Sequence, residues 1–163
     1  MIELRPATEQ DVRVFAGWHY EPPYDVYDID MTPDEAVSCF LEPGIACHTL
    51  FGGSITVGYC TFDHDAQVPG GDYDADGIDI GLGVKPEETG SELGSRFVAA
   101  VVAYALANLD PPQLRMAIAT GNLRALRVWT VAGFSEVSRF GTTRNVMGSG
   151  EFAILALTPT DHR

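Results

Sequence analysis

Lysine is nearly missing from this sequence: Lys85 is the only one, and arginine supplies the rest of the positive charge. Basic residues are scarce altogether, 10 against 23 acidic ones, and the net charge of -13 gives an average field that repels phosphate backbones. That field disfavours nucleic acid as a partner and favours a cationic acceptor such as an amine, although solubility alone can account for such a charge. Cysteine is also sparse. Cys39, Cys47 and Cys60 are odd in number, scattered and set in apolar surroundings, which suits small buried thiols in a reducing compartment better than a disulfide framework. No run approaches the roughly 20 apolar residues of a membrane-spanning helix, and the opening MIELRPATEQD has charges where a signal peptide would be apolar. The expectation is a soluble, cytoplasmic protein with no membrane partner.

What is present is enough for one core. Of the 163 residues, 45% are hydrophobic, which predicts a single domain over residues 1–163 without disulfides or metals. The start predicts a short strand from Ile2 to Arg5 and then a helix, with Thr8 as cap and Asp11 in a capping-box position. A second helix is signalled by TPDEAVSCFLE, with Thr32 as N-cap, Pro33 as first helical residue and Glu35 as the N3 acid. Between them lies HYEPPYDVYDID, whose paired prolines forbid a regular helix; it reads equally as a substrate wall or as an aromatic-packed surface loop. Gly52 and Gly53 split the stretch from Ile45 to Phe62 into a hairpin. An Asp-, Gly- and Pro-rich loop precedes the strand GIDIGLGV. From Gly90 the sequence has the spacing of a long helix ended by Pro111 and Pro112. QLRMAIAT is then a strand, NLRALRVWTVAGF a capped helix ending at Gly133, and FSEVSRF and EFAILAL two closing strands.

The Asp-rich loop invites a metal reading, since Asp72, Asp74, Asp76 and Gly77 match the first positions of a calcium loop. The template then fails, because its bidentate Glu would be Gly83 and a strand follows where a helix should; no metal is expected. The histidines His19, His48, His64 and His162 lack ligand spacing, and no Ser or Cys sits in a strand-turn-helix elbow. The organised signal is GIDIGLGV, then KPEETGSELG, then the long helix. Such a turn exposes backbone N–H groups at a helix N-terminus, where a pyrophosphate would fit.

The segment GIDIGLGVKPEETGSELGSRF, followed by ATGNLRALRVWTVAGF, resembles the two signature regions of the GNAT N-acetyltransferase superfamily, and together they cover roughly residues 78–140. The resemblance implies an α/β (α+β) fold with a central mixed, mostly antiparallel sheet of about seven strands flanked by about four helices. In that fold a splayed parallel strand pair forms the acyl-CoA cleft. It implies acetyl-CoA as co-substrate and direct attack by an amine of a small molecule, peptide or protein. The pantetheine arm would pair with the backbone at Leu82, Gly83 and Val84. The pyrophosphate would sit on the turn Thr89, Gly90, Ser91, Glu92, Leu93, Gly94 and Ser95, chiefly on its amides from Gly90 onward. Asn122 would reach the cofactor, besides serving as N-cap. Dimerisation is common among similar proteins, which makes a homodimer compatible with the resemblance.

Three positions depart from the family pattern. Thr89 and Glu92 replace the usual Arg or Gln and Gly of the turn. A carboxylate about 4 Å from a phosphate costs on the order of 4 kcal/mol at an effective dielectric near 20, unless Glu92 points away and meets the positive end of the helix. Trp129 replaces a tyrosine that can protonate the leaving thiolate, and indole cannot do so. These departures leave open a second reading, a GNAT-like binding or dimerisation module with weak catalysis or none. Asp79, where relatives carry an acid that can deprotonate the amine through water, is the candidate base, or else a structural hydrogen-bond acceptor. Tyr24, Tyr27 and Tyr73 are candidate substrate contacts and substitute acids.

Overall fold

A computed structural model describes residues 1–62, 66–89 and 93–159. Its described residues form seven strands: β1 (Ile2–Pro6), β2 (His48–Gly52), β3 (Ile55–Phe62), β4 (Ile78–Val84), β5 (Leu114–Ala119), β6 (Ser135–Val146) and β7 (Ser149–Leu157). The helices are α1 (Glu9–Ala16), α2 (Pro33–Phe40), α3 (Leu93–Asn108) and α4 (Leu123–Val131). The strands make one sheet in the order β1-β2-β3-β4-β5-β7-β6, antiparallel throughout except for the parallel pair β4/β5. This is the mixed, mostly antiparallel architecture that the family resemblance implies.

Local signals place most of the boundaries. The Thr8 hydroxyl accepts from the Asp11 N–H at 3.2 Å while the Asp11 carboxylate accepts from the Thr8 N–H at 2.9 Å, so two free donors of the first turn of α1 are satisfied reciprocally. Asp11 also accepts from the Thr49 hydroxyl at 3.1 Å, which ties α1 to β2. Thr32 caps α2, with Pro33 in its first turn. The closing hairpin differs from the expectation: β6 continues past Phe140 to Val146, and the chain reverses at Met147 and Gly148, both at positive φ. Such a pair of left-handed residues suits the twist of a tight hairpin.

Helices cover both faces of the sheet. Phe97, Val98 and Val101 of α3 and Trp129 of α4 pack with Leu50, Ile80, Leu114 and Ile118 into the main core. Val12 and Phe15 of α1 and Ala36 of α2 form a second cluster on the opposite face, where Phe15 stacks on Tyr59 with ring centroids 4.1 Å apart. The cysteines are free thiols, with Cys47 and Cys60 buried; burial pushes the Cys60 thiol well above its usual range and leaves it inert. No described helix is long and apolar enough to cross a membrane.

Candidate active site

The two parallel strands separate almost as soon as they meet. β4 and β5 share only the rungs Ile78↔Leu114 and Asp79↔Arg115, and beyond them a cavity of 610 Å³ opens between the strands. Leu82, Gly83 and Val84 line one wall and Met116, Ala117 and Ile118 the other. The direction of the β4 peptide groups follows from two hydrogen bonds. The Ile78 N–H donates to the Gln113 carbonyl on the β5 side at 2.9 Å, and the Lys85 N–H donates to Val57 of β3 at 2.8 Å. Peptide groups alternate sides along a strand, so Leu82 and Val84 present N–H and C=O to the cleft, where no β5 rung meets them.

Gly83, by the same alternation, turns its peptide groups toward β3, and its part is its missing side chain. A Cβ there would collide with the hydroxyl end of the Tyr59 ring, and a Cβ at Gly81 would lie 2.6 Å from the Thr61 hydroxyl. The two glycines thus let β3 side chains lie directly over β4, and Tyr59 reaches the cavity that way.

Asp79 does not face this cavity. Its carboxylate accepts from Arg115 Nε at 2.8 Å and Nη2 at 3.0 Å, and from Gln67 Nε2 at 2.9 Å, with Asp79 2% and Arg115 4% exposed. Arg115 also donates to the Ala75 carbonyl at 2.6 Å. A carboxylate held this way is a structural acceptor, and the expected role as base has no geometric support. Tyr73 belongs to the same group. Its ring lies 5.5 Å from the Arg115 guanidinium carbon, its hydroxyl accepts from the Val68 N–H at 2.8 Å, burial raises its pKa, and it does not line the cavity.

Tyr24 and Tyr27, in contrast, line it. They fall in a short 3-10 segment, Tyr24–Tyr27, of the loop between α1 and α2. The Tyr27 hydroxyl accepts from Asn122 Nδ2 at 3.0 Å, while Asn122 Oδ1 caps α4 by accepting from the Ala125 N–H at 3.1 Å. The Tyr24 hydroxyl accepts from Arg124 Nε at 3.2 Å, and the guanidinium lies 4.0 Å from the Tyr24 ring centroid. Trp129 also lines the cavity, 2% exposed and edge-on to Phe134 at 5.0 Å, so it acts as wall.

Of the pyrophosphate turn, Gly90, Ser91 and Glu92 lie outside the described residues. Thr89 lines the cavity, and its hydroxyl donates to the Pro86 carbonyl at 2.7 Å. Leu93 opens α3, Gly94 lines the cavity beside Val128 of α4, and Ser95 is exposed outside the lining.

Sequence reasoning misses Tyr20, Tyr59, Arg124 and Arg127, all of which line the cavity. The Tyr20 hydroxyl donates to the Val84 carbonyl at 2.7 Å, and burial, with a smaller contribution from the Asp28 charge, pushes its pKa up to about 12. A signal for Tyr20 existed, since it is the first of three tyrosines in one proline-broken loop. Arg124 and Arg127, spaced i and i+3 on α4, bring two of the chain's few cations to one cavity.

The strand pair thus parts into an apolar cleft with the peptide groups of Leu82 and Val84 on one side and the start of α3 at its mouth. A model of the acetyltransferase (GNAT) domain family matches residues 2–135, and the chain belongs to that family, whose members use acetyl-CoA. Among solved structures it is similar to a chimera of the Vibrio cholerae spermidine N-acetyltransferase SpeG and hSSAT, at 13% identity and TM-score 0.79, covering 96% of this chain and 95% of that one. It is also similar to the aminoglycoside acetyltransferase AAC(6')-Ib in complex with coenzyme A and kanamycin, at 18% identity and TM-score 0.77, covering 97% and 95%. A third likeness is to yncA from Salmonella typhimurium with its cofactor acetyl-CoA, at 14% identity and TM-score 0.70, covering 99% and 95%. A sequence search of curated proteins finds no match.

Proposed function

We propose that this chain transfers an acetyl group from acetyl-CoA to a primary amine of a small molecule or of a peptide or protein, by direct attack. The observation that carries the reading is the open β4 edge, where Leu82 and Val84 aim their peptide groups into a 610 Å³ cleft. An extended chain with amides of its own can pair with such an edge as an added strand would. Arg124 and Arg127 supply positive charge for phosphates on an otherwise acidic chain, and the start of α3 supplies a helix N-terminus. When bound, acetyl-CoA supplies the activated acyl carbonyl.

The residues of the chain then do the rest. Backbone N–H groups on the β4 edge stabilise negative charge developing on a carbonyl oxygen without a dedicated charged side chain. Tyr24 and Tyr27 carry O–H groups on the cavity wall that can protonate the leaving thiolate, which Trp129 cannot, and the proton released by the amine restores them. Asp79 is committed to Arg115 and is not placed to take the acceptor's proton. The mostly acidic surface favours approach of a cationic acceptor, and two of the similar structures are named for small-molecule amines. A screen of polyamines, aminoglycosides and peptide amines with radiolabelled acetyl-CoA tests this: transfer to at least one amine supports it, and release of acetate alone contradicts it.

A further inference from the structure

Three tyrosine hydroxyls from a single loop are bonded across the cleft to its donor wall. Tyr20 donates to the Val84 carbonyl of β4, Tyr27 accepts from the Asn122 amide of α4, and Tyr24 accepts from Arg124 of α4. Val84 and Asn122 are groups through which the donor would be held, and both already have a partner from within the chain. The loop is further held by Val26, packed against the Ala119, Val146 and Phe152 cluster, and by the His19–Asp28 contact at 3.0 Å. No residue of Tyr24–Tyr27 is buried, and its internal bonds join near neighbours in sequence: the Tyr20 N–H donates to Asp28 at 2.8 Å, Tyr24 N–H to Glu21 at 2.8 Å and Asp28 N–H to Asp25 at 3.1 Å. Segments without buried residues open at smaller free-energy cost than core elements.

We infer that the segment from Tyr20 to Tyr27 is a latch on the donor cleft: its hydroxyls occupy the Val84 and Asn122 groups, and the segment moves off β4 and α4 when an acyl-CoA binds. This rests on the reading of the cleft as the acyl-CoA site. The same movement resets the wall that Tyr24 and Tyr27 form, so donor binding changes the surface offered to the acceptor. Coupling of this kind requires the ligand to bind the open form better, which the competition for Val84 and Asn122 provides.

Calorimetric titration of the full chain with coenzyme A, for the wild type, Tyr20→Phe and Tyr27→Phe, tests the latch. Removing one competing hydrogen bond should tighten binding about two- to tenfold for Tyr20→Phe, the range expected for one net hydrogen bond. On the wild type, chymotrypsin should cleave after Tyr20, Tyr24 or Tyr27 faster with coenzyme A than without. Unchanged or weaker binding by Tyr20→Phe, or protection of the segment by coenzyme A, overturns the latch while leaving the cleft reading intact. Failure of every form to bind coenzyme A overturns the cleft reading and the latch with it.

Discussion

Asp79 and Arg115 face each other on the last rung that β4 and β5 share, and their side chains form a doubly hydrogen-bonded ion pair at 2.8 and 3.0 Å below the point where the strands part. The pair clamps the base of the cleft. Removing either partner leaves a buried charge alone, so Arg115→Ala and Asp79→Ala should each cost about 3–5 kcal/mol in urea denaturation. The double replacement by Met and Leu should cost less than either single change. Folded Asp79→Asn should keep the wild-type pH–rate profile, because Arg115 and Gln67 occupy its carboxylate.

Gly83 gives a steric test. Gly83→Ala drives a methyl group against the hydroxyl end of the Tyr59 ring, which itself stacks on Phe15. The expected loss is about 1–3 kcal/mol from overpacking, measured by urea denaturation. Coenzyme A affinity should fall with it, since Tyr59 is forced toward the cavity.

Asn122 has two separable jobs, a cap for α4 through Oδ1 and a donor to Tyr27 through Nδ2. Asn122→Ala should lose about 1 kcal/mol of stability with the cap. Asn122→Asp keeps the cap and should hold stability near wild type, while its new charge on the donor wall weakens coenzyme A binding.

The sequence makes the first half of this description legible because its signals are local. Thr8 with Asp11, Thr32 with Pro33 and Asn122 announce helix starts within four residues, and Gly52–Gly53 marks a hairpin between adjacent strands. Asp79 is different, since its partner Arg115 lies 36 residues away across a parallel ladder and the face it takes depends on that pairing. The extension of β6 through Gly141 and Thr142 is likewise fixed by pairing with β7, through a register shift between Gly141 and Val146, and polar residues there carry no strand periodicity of their own. Tyr20 could be seen only as one loop aromatic among three until Val84 was placed beside it.

Acid should loosen the tyrosine loop. The Tyr20 N–H, and then His19, hold the Asp28 carboxyl below the usual carboxylate range. A depressed folded pKa means that this contribution is complete above the unfolded value and is lost as pH falls through the folded one. Amide exchange at Tyr20 should therefore rise, relative to its intrinsic rate, below the ordinary carboxylate range. Asp28→Asn should remove that pH dependence.

The most direct measurement is calorimetric titration with acetyl-CoA, using adenosine diphosphate as a control for generic phosphate binding. A cleft built on the β4 edge predicts micromolar binding of acetyl-CoA that depends on the pantetheine arm. Equal affinity for adenosine diphosphate, or no binding of acetyl-CoA at millimolar concentration, would contradict it.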